Sequence, residues 1–137
     1  ETGLIEMIIR GQAVPVPIDA TAGFNFVYVR DAARAVSTVI GDERAFGATF
    51  NLAQSERVTY NRLLSDLERI SGGAFETREM TVDEIEREQI IMPFPLTTDD
   101  FTDGTLFART FDFSYTPFSD GLEETFQAQL SLNESLL

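Results

Sequence analysis

The sequence predicts an α/β fold in which short strands alternate with helices, and three observations carry that prediction. Runs of aromatic and β-branched residues, FNFVYV at 24–29, TFNLA at 49–53 and FETREM at 75–80, are each followed by apolar residues at helical spacing. Glycine or proline punctuates the changes, as at Gly11, Gly41, Gly72, Gly73 and Pro93. A chain of 137 residues with 43% hydrophobic content suffices for one domain that hides roughly two-thirds of its extended surface. Residues 1–137 are therefore read as a single unit.

Residues 3–10 place Leu4, Ile5, Ile8 and Ile9 on one helical stripe, with Glu6 four residues before Arg10 on the solvent side. Gly11 ends that helix. VPVPI at 14–18 is extended, because each proline disfavours helix at the residue before it, and two prolines put the strand at an edge. A turn from Asp19 to Gly23 leads into FNFVYV, expected as a strand with Phe24, Phe26 and Tyr28 on one face. Asp31 is the expected cap of a helix whose buried stripe is Ala32, Ala35, Val36, Val39 and Ile40.

TFNLA is expected as a short apolar strand. Thr59 starts a helix with Leu63, Leu64, Leu67 and Ile70 inward, which Gly72 and Gly73 stop. Phe75–Met80 reads as a strand, and Thr81 with Glu84 as a capping box for a helix through about Ile91, before Pro93. The stretch 92–105 is turn-rich. A short helical turn near Leu106–Thr110 precedes FDFSYTPF, and Ser119 is the expected cap of a last helix carrying Leu122, Phe126 and Leu130, frayed at its end.

Composition excludes more than it suggests. There is no His, Lys or Cys, so a serine-histidine triad, a histidine-ligated zinc, a Schiff-base lysine and a P-loop lysine have no place within this chain. What remains is carboxylates, hydroxyls, arginine and the three tyrosines Tyr28, Tyr60 and Tyr115. With 23 acidic residues against 10 arginines the net charge is -13, which repels phosphate backbones and anionic membranes. No nucleic acid and no membrane is expected as partner, and the lack of a long apolar run or secretory pattern predicts a cytoplasmic protein. Acidity of this degree suits solubility or a high-salt setting. Asp99, Asp100, Asp103 and Gly104 imitate a calcium loop, but Phe101 and Thr110 stand where ligands are required, so no metal site is expected.

Three landmarks, in order, resemble the extended short-chain dehydrogenase/reductases of the NAD-dependent epimerase/dehydratase type. FNFVYVRDAARAV at 24–36 is similar to that family's strand and alanine-rich helix joined by Val-x-Asp; FNLAQSERVTYNRLL at 50–64 to its strand ending in Asn, loop and Thr-led helix; LFARTFDFSYTPFSDGLEETF at 106–126 to its short helix, aromatic turn, Thr-Pro and Gly-Leu helix. The resemblance covers nearly the whole chain. It implies the C-terminal part of a Rossmann-like enzyme that binds substrate, a fragment whose N-terminal dinucleotide-binding part is absent.

The Gly-rich phosphate loop and the Tyr-x-x-x-Lys pair of that family have no counterpart here. No catalytic and no cofactor-binding residue is therefore assigned, and the chain alone is expected to be inactive and to bind no cofactor. The full-length protein would use NAD or NADP. Phe24 stands where sugar-nucleotide epimerases carry a diphosphate-holding Arg, and Pro93–Leu96 where they carry an Arg-x-x-Asp pair. Substrate contacts are assigned to Phe24, Asn25, Asn51, Met92, Pro93 and Phe94, with a small molecule as substrate. Asp31 is assigned a structural role. Open strand edges predict partnership with the missing half or a second copy, hence a homo-oligomer. The alternative reading is a non-catalytic acidic interaction or regulatory domain derived from the same fold.

Overall fold

The computed structural model describes residues 2–135. Helix α1, Thr2–Ile9, buries Leu4 and Ile5 and ties Glu6 to Arg10 at 2.6 Å on its outer side. Gly11, at φ +64°, makes the left-handed turn that lets the chain reverse into β1, Val14–Pro17. β1 pairs in parallel with β2, Thr77–Met80, in the register Val14 with Thr77 through Pro17 with Met80. Parallel pairing demands a crossover, and everything from the turn after β1 to Phe75 forms it.

Within that crossover lie α2, Val29–Val39, a 3₁₀ turn at Glu43–Ala45, and α3, Tyr60–Ile70. Thr59 accepts from Arg62 N–H and so caps α3, which turns Leu63, Leu64 and Leu67 inward. After β2, Thr81 and Glu84 close a reciprocal capping box on α4, Val82–Arg87. α4 is shorter than the sequence implies, because Gln89 takes a left-handed φ of 56° and ends the helical path well before Pro93. α5, Thr105–Phe111, and α6, Phe118–Ser135, complete the chain. The fraying expected of the last residues concerns 136 and 137, outside those described.

Two clusters form the interior. The larger joins α1, β1, α3 and α6 through Leu4, Ile5, Val14, Leu63, Leu67, Leu122 and Phe126, and Phe24, Val58 and Tyr60 are buried within it. The smaller joins α2 to α5 through Ala35, Phe107 and Phe111, with Phe50 and Leu52 against it.

Three expectations are corrected. Residues 24–29 are not a strand: only Phe24 makes bridges, antiparallel to Val58 and parallel to Asp100. Beyond it the Asn25 side chain bonds Gln54 O and Thr102, Phe26 O accepts from Gln54 N–H, and no ladder propagates. TFNLA is not a strand either. Thr49 and Asn51 face out while Phe50 and Leu52 pack inward, the strand alternation, but no neighbouring strand is present among the described residues to pair with it. The stripe of α2 is narrower than expected, since Ala35 is buried while Val36 and Ile40 are 58% and 76% exposed.

Two caps also differ. α2 is preceded by Tyr28, and Asp31 lies inside its first turn, 1% exposed, where it reaches across the molecule to Thr116. Ser119 lies inside α6 and its hydroxyl donates to Asp66 at 2.8 Å; the first N–H, that of Phe118, donates to Glu56.

Candidate functional site

The loops 18–26 and 91–103 meet at one end of α3, and they meet around Phe24. Its N–H and C=O exchange bonds with Val58, both at 2.9 Å, while Asp100 N–H donates to Gly23 O on the other side. Gly23 N–H donates to Asp99 Oδ1 at 2.6 Å, and Arg57 reaches the same oxygen at 3.2 Å. These bonds hold the Asp99 carboxyl below the usual carboxylate range, the Gly23 N–H foremost and Arg57 in support.

Aromatic rings fill the space beneath. Phe24 is 2% exposed and stacks on Phe94 at 4.5 Å and 21°, while Phe26 meets Phe94 edge-on at 4.9 Å and stacks on Phe118. The Tyr60 hydroxyl fixes Phe94 from below: it donates to Phe94 O at 2.7 Å and accepts from Phe94 N–H at 3.0 Å.

Of the residues the sequence singles out, Phe24, Asn25, Met92, Pro93 and Phe94 are thus gathered on one face. Met92 and Phe94 are half-buried against the core, and Pro93 is exposed. Asn25 has its amide fully engaged, donating to Gln54 O and Thr102 O and accepting from Thr102 N–H. Asn51 is exposed on the outer side of the 49–53 segment, and no hydrogen bond joins it to the others. Tyr60, Asp99 and Gly104 also shape this region, although the sequence assigns none of them a substrate contact. The first two act on residues 34 and 76 positions away, and local pattern carries no signal of that.

Gly104 permits the closest approach. A Cβ there would lie 2.6 Å from Ala53 N and nearer still to Ala53 O, so only glycine lets the 99–104 loop pass over that backbone.

The three tyrosine hydroxyls all stand above their ordinary range. Burial pushes the Tyr60 hydroxyl up to about 12. Tyr115 is raised by burial, and Tyr28 by burial with the hydrogen bond it donates to Glu124.

A second surface is open and apolar. Ala35, Val36, Val39, Phe50, Leu52 and Phe107 line a groove of about 200 Å³ on the outer side of α2. Val29, Ile40, Phe46 and Leu106 are largely exposed on the neighbouring elements. Beside the groove, residues 49–53 run extended with no backbone ladder bond. Among the described residues, no helix is long and apolar enough to cross a membrane, and no three ligating side chains cluster to hold a metal.

No family model and no curated protein matches the chain. Solved structures do. A UDP-glucuronic acid 4-epimerase from Bacillus cereus in complex with NAD matches over 94% of this chain and 38% of its own, at TM-score 0.70 and 20% identity. A UDP-glucose 4-epimerase from Stenotrophomonas maltophila, with bound NAD and formylated UDP-arabinopyranose, matches over 98% of this chain and 41% of its own, at 0.71 and 16%. A UDP-glucose 4-epimerase from Thermotoga maritima with UDP-glucose gives 98% and 39%, at 0.65 and 20%. The chain spans between 38% and 41% of these structures' lengths and has the fold of the C-terminal part of Rossmann-type epimerases.

Proposed function

We propose that this chain is the substrate-side part of an NAD(P)-dependent epimerase, dehydratase or reductase, and that it works only when joined to a cofactor-binding half. One observation carries the reading: residues 49–52 alternate outward and inward like a strand, with no backbone ladder partner among the described residues and an apolar groove beside them, in a fold whose relatives continue for more than half of their length beyond the matched part. An edge of this kind is completed by another strand. In this reading the complementary half supplies the pyrophosphate-cradling loop and the base, and the nicotinamide, when bound there, supplies hydride chemistry. This chain's own contribution is to wall the substrate with the Phe24 to Phe94 face and to keep water from it. Its tyrosines, held above their ordinary range, support leaving the proton transfer to the other half.

The experiment is a reconstitution. The chain alone is expected to show no micromolar affinity for NADH or NADPH, and to acquire it in complex with a dinucleotide-binding half of the same fold. Micromolar binding by the chain alone would overturn the reading. Without its complement the chain is expected to pair with a second copy through the 49–53 edge, which light scattering reads as a dimer; a strict monomer at high concentration would count against that edge.

A further inference from the structure

We infer that the cavity between residues 26–28 and the start of α6 is the binding site of one structural water, which accepts a hydrogen bond from the Gln54 side-chain amide and donates to a threonine hydroxyl in the same wall. The inference is independent of the reading of the chain as substrate-side.

Gln54 is 5% exposed and held on three sides. Its N–H donates to Phe26 O at 2.8 Å, its C=O accepts from Asn25 Nδ2 at 2.9 Å, and its Oε1 accepts from Glu56 N–H at 2.6 Å. Turning the side-chain amide by half a rotation would set two donors against each other, so Oε1 stays on Glu56 and Nε2 is left on the opposite side. Nε2 is buried, and no protein group among the described residues accepts from it. A buried donor without an acceptor is costly, and native interiors satisfy such groups with ordered water.

Room for one water is present. Gln54 lines a cavity of about 30 Å³ together with Phe26, Thr116, Phe118 and Thr125. That is close to the share of volume one molecule takes in liquid water, roughly 30 Å³, and about a tenth of the smallest pockets that enclose a drug-sized ligand, roughly 300 Å³. Gly121 stands in the same wall, and a Cβ added there would lie 3.2 Å from Tyr28 Cγ, so α6 comes down directly on the 26–28 segment.

The chemistry of the wall selects water over other small occupants. Nε2 calls for an acceptor. The two hydroxyls spend their hydrogens elsewhere, Thr116 on Asp31 Oδ1 at 2.9 Å and Thr125 on Gly121 O at 2.7 Å, and keep lone pairs that call for a donor. Water answers both at once, whereas a carbonyl oxygen can only accept and a metal cation would repel the amide hydrogens. Placed there, the water ties Gln54 to α6 alongside the bond from Phe118 N–H to Glu56, the residue that already holds Gln54 Oε1.

The test uses the full chain. A high-resolution crystal structure is expected to show one ordered oxygen within about 3.2 Å of Gln54 Nε2. In solution, NMR cross-peaks from water to the Gln54 side-chain amide should carry the sign of a water that tumbles with the protein. Gln54→Leu removes the donor, and its crystal structure should lack that oxygen. A wild-type structure with the cavity dry, or with Nε2 turned onto a protein acceptor, would overturn the inference, as would the absence of the cross-peaks. Persistence of the oxygen in Gln54→Leu would also overturn it, by showing that the amide does not hold the water. The two wild-type measurements decide the matter even where the variant does not fold.

Discussion

Asp31 accepts the Thr116 N–H at 2.6 Å on one carboxylate oxygen and the Thr116 hydroxyl at 2.9 Å on the other, joining α2 to the residue before Pro117 across 85 positions. The carboxylate is 1% exposed, and Arg34 at 3.3 Å supplies its countercharge. Two further carboxylates converge on the same short segment, Glu56 on Phe118 N–H and Asp66 on the Ser119 hydroxyl. The start of α6 is therefore held by acids from three elements, which also complement the positive end of its dipole.

Asp31→Ala should be among the most destabilising single substitutions in the chain. It strands a partly buried N–H and hydroxyl and removes the carboxylate beside Arg34, a loss of about 2–3 kcal/mol. Asp31→Asn keeps one acceptor and should lose less. Urea unfolding of both variants checks the order, and equal losses would show that the charge, not the bonds, matters.

What the sequence could tell followed the range of each interaction. The Thr81 and Glu84 box, the Thr59 cap and the inward face of α3 are legible because their partners lie within one turn. Asp31 looks like a cap for the same local reason, yet its bond is to a residue no periodicity connects with it. FNFVYV and TFNLA have strand composition, and composition describes a side chain's fit to a pleated surface rather than the presence of a neighbour. Val36 and Ile40 were expected inside because helical spacing marks an apolar face without saying what covers it. The gathering of Phe24 with Met92, Pro93 and Phe94 was reached through family resemblance, whereas the Tyr60 clamp that fixes it was not reached at all.

Tyr60→Phe removes both bonds of that clamp while keeping the ring. Two backbone groups of Phe94 lose their partner, an expected cost of about 1–3 kcal/mol. The wild-type protein carries a matching alkaline limit. Because burial raises the folded Tyr60 value from 10.0 to about 12, its contribution is complete below pH 10 and is lost as pH rises from there through 12. Unfolding free energies across that window should fall for wild type and fall less for Tyr60→Phe; parallel curves would remove Tyr60 as the cause.

Gly104→Ala should destabilise although φ at this position is an ordinary -91°. The added carbon collides with the Ala53 backbone, which has no rotamer to give way. Overpacking of this kind costs about 1–3 kcal/mol, and the loop must lift to relieve it. Lifting would also stretch the Asn25 to Thr102 bonds, so amide exchange at Thr102 should quicken in the variant. A variant as stable as wild type with unchanged exchange would show that the approach is looser than these contacts require.

Salt and acid should act on stability in opposite directions. With 23 carboxylates and 10 arginines, full pairing would still leave a net charge of -13, so repulsion outweighs the exposed ion pairs, each worth about 1 kcal/mol or less. At about 1 M salt the screening length shrinks to roughly 3 Å, repulsion between unpaired carboxylates fades, and the urea midpoint should rise. Acid works through particular groups. Glu84 is lowered by Thr81 N–H, Asp99 by Gly23 N–H, Asp103 by Thr105, and Asp42 to about 2 by Arg44. Depressed values mean stability that is present above the ordinary carboxylate range and lost as pH falls through the folded ones. Unfolding followed from neutral pH downward should hold steady and then drop below about pH 4, with Asp99→Asn shallower in its decline. A chain that grew more stable in acid would mean that relief of the net charge, and not these hydrogen-bonded carboxylates, governs the response.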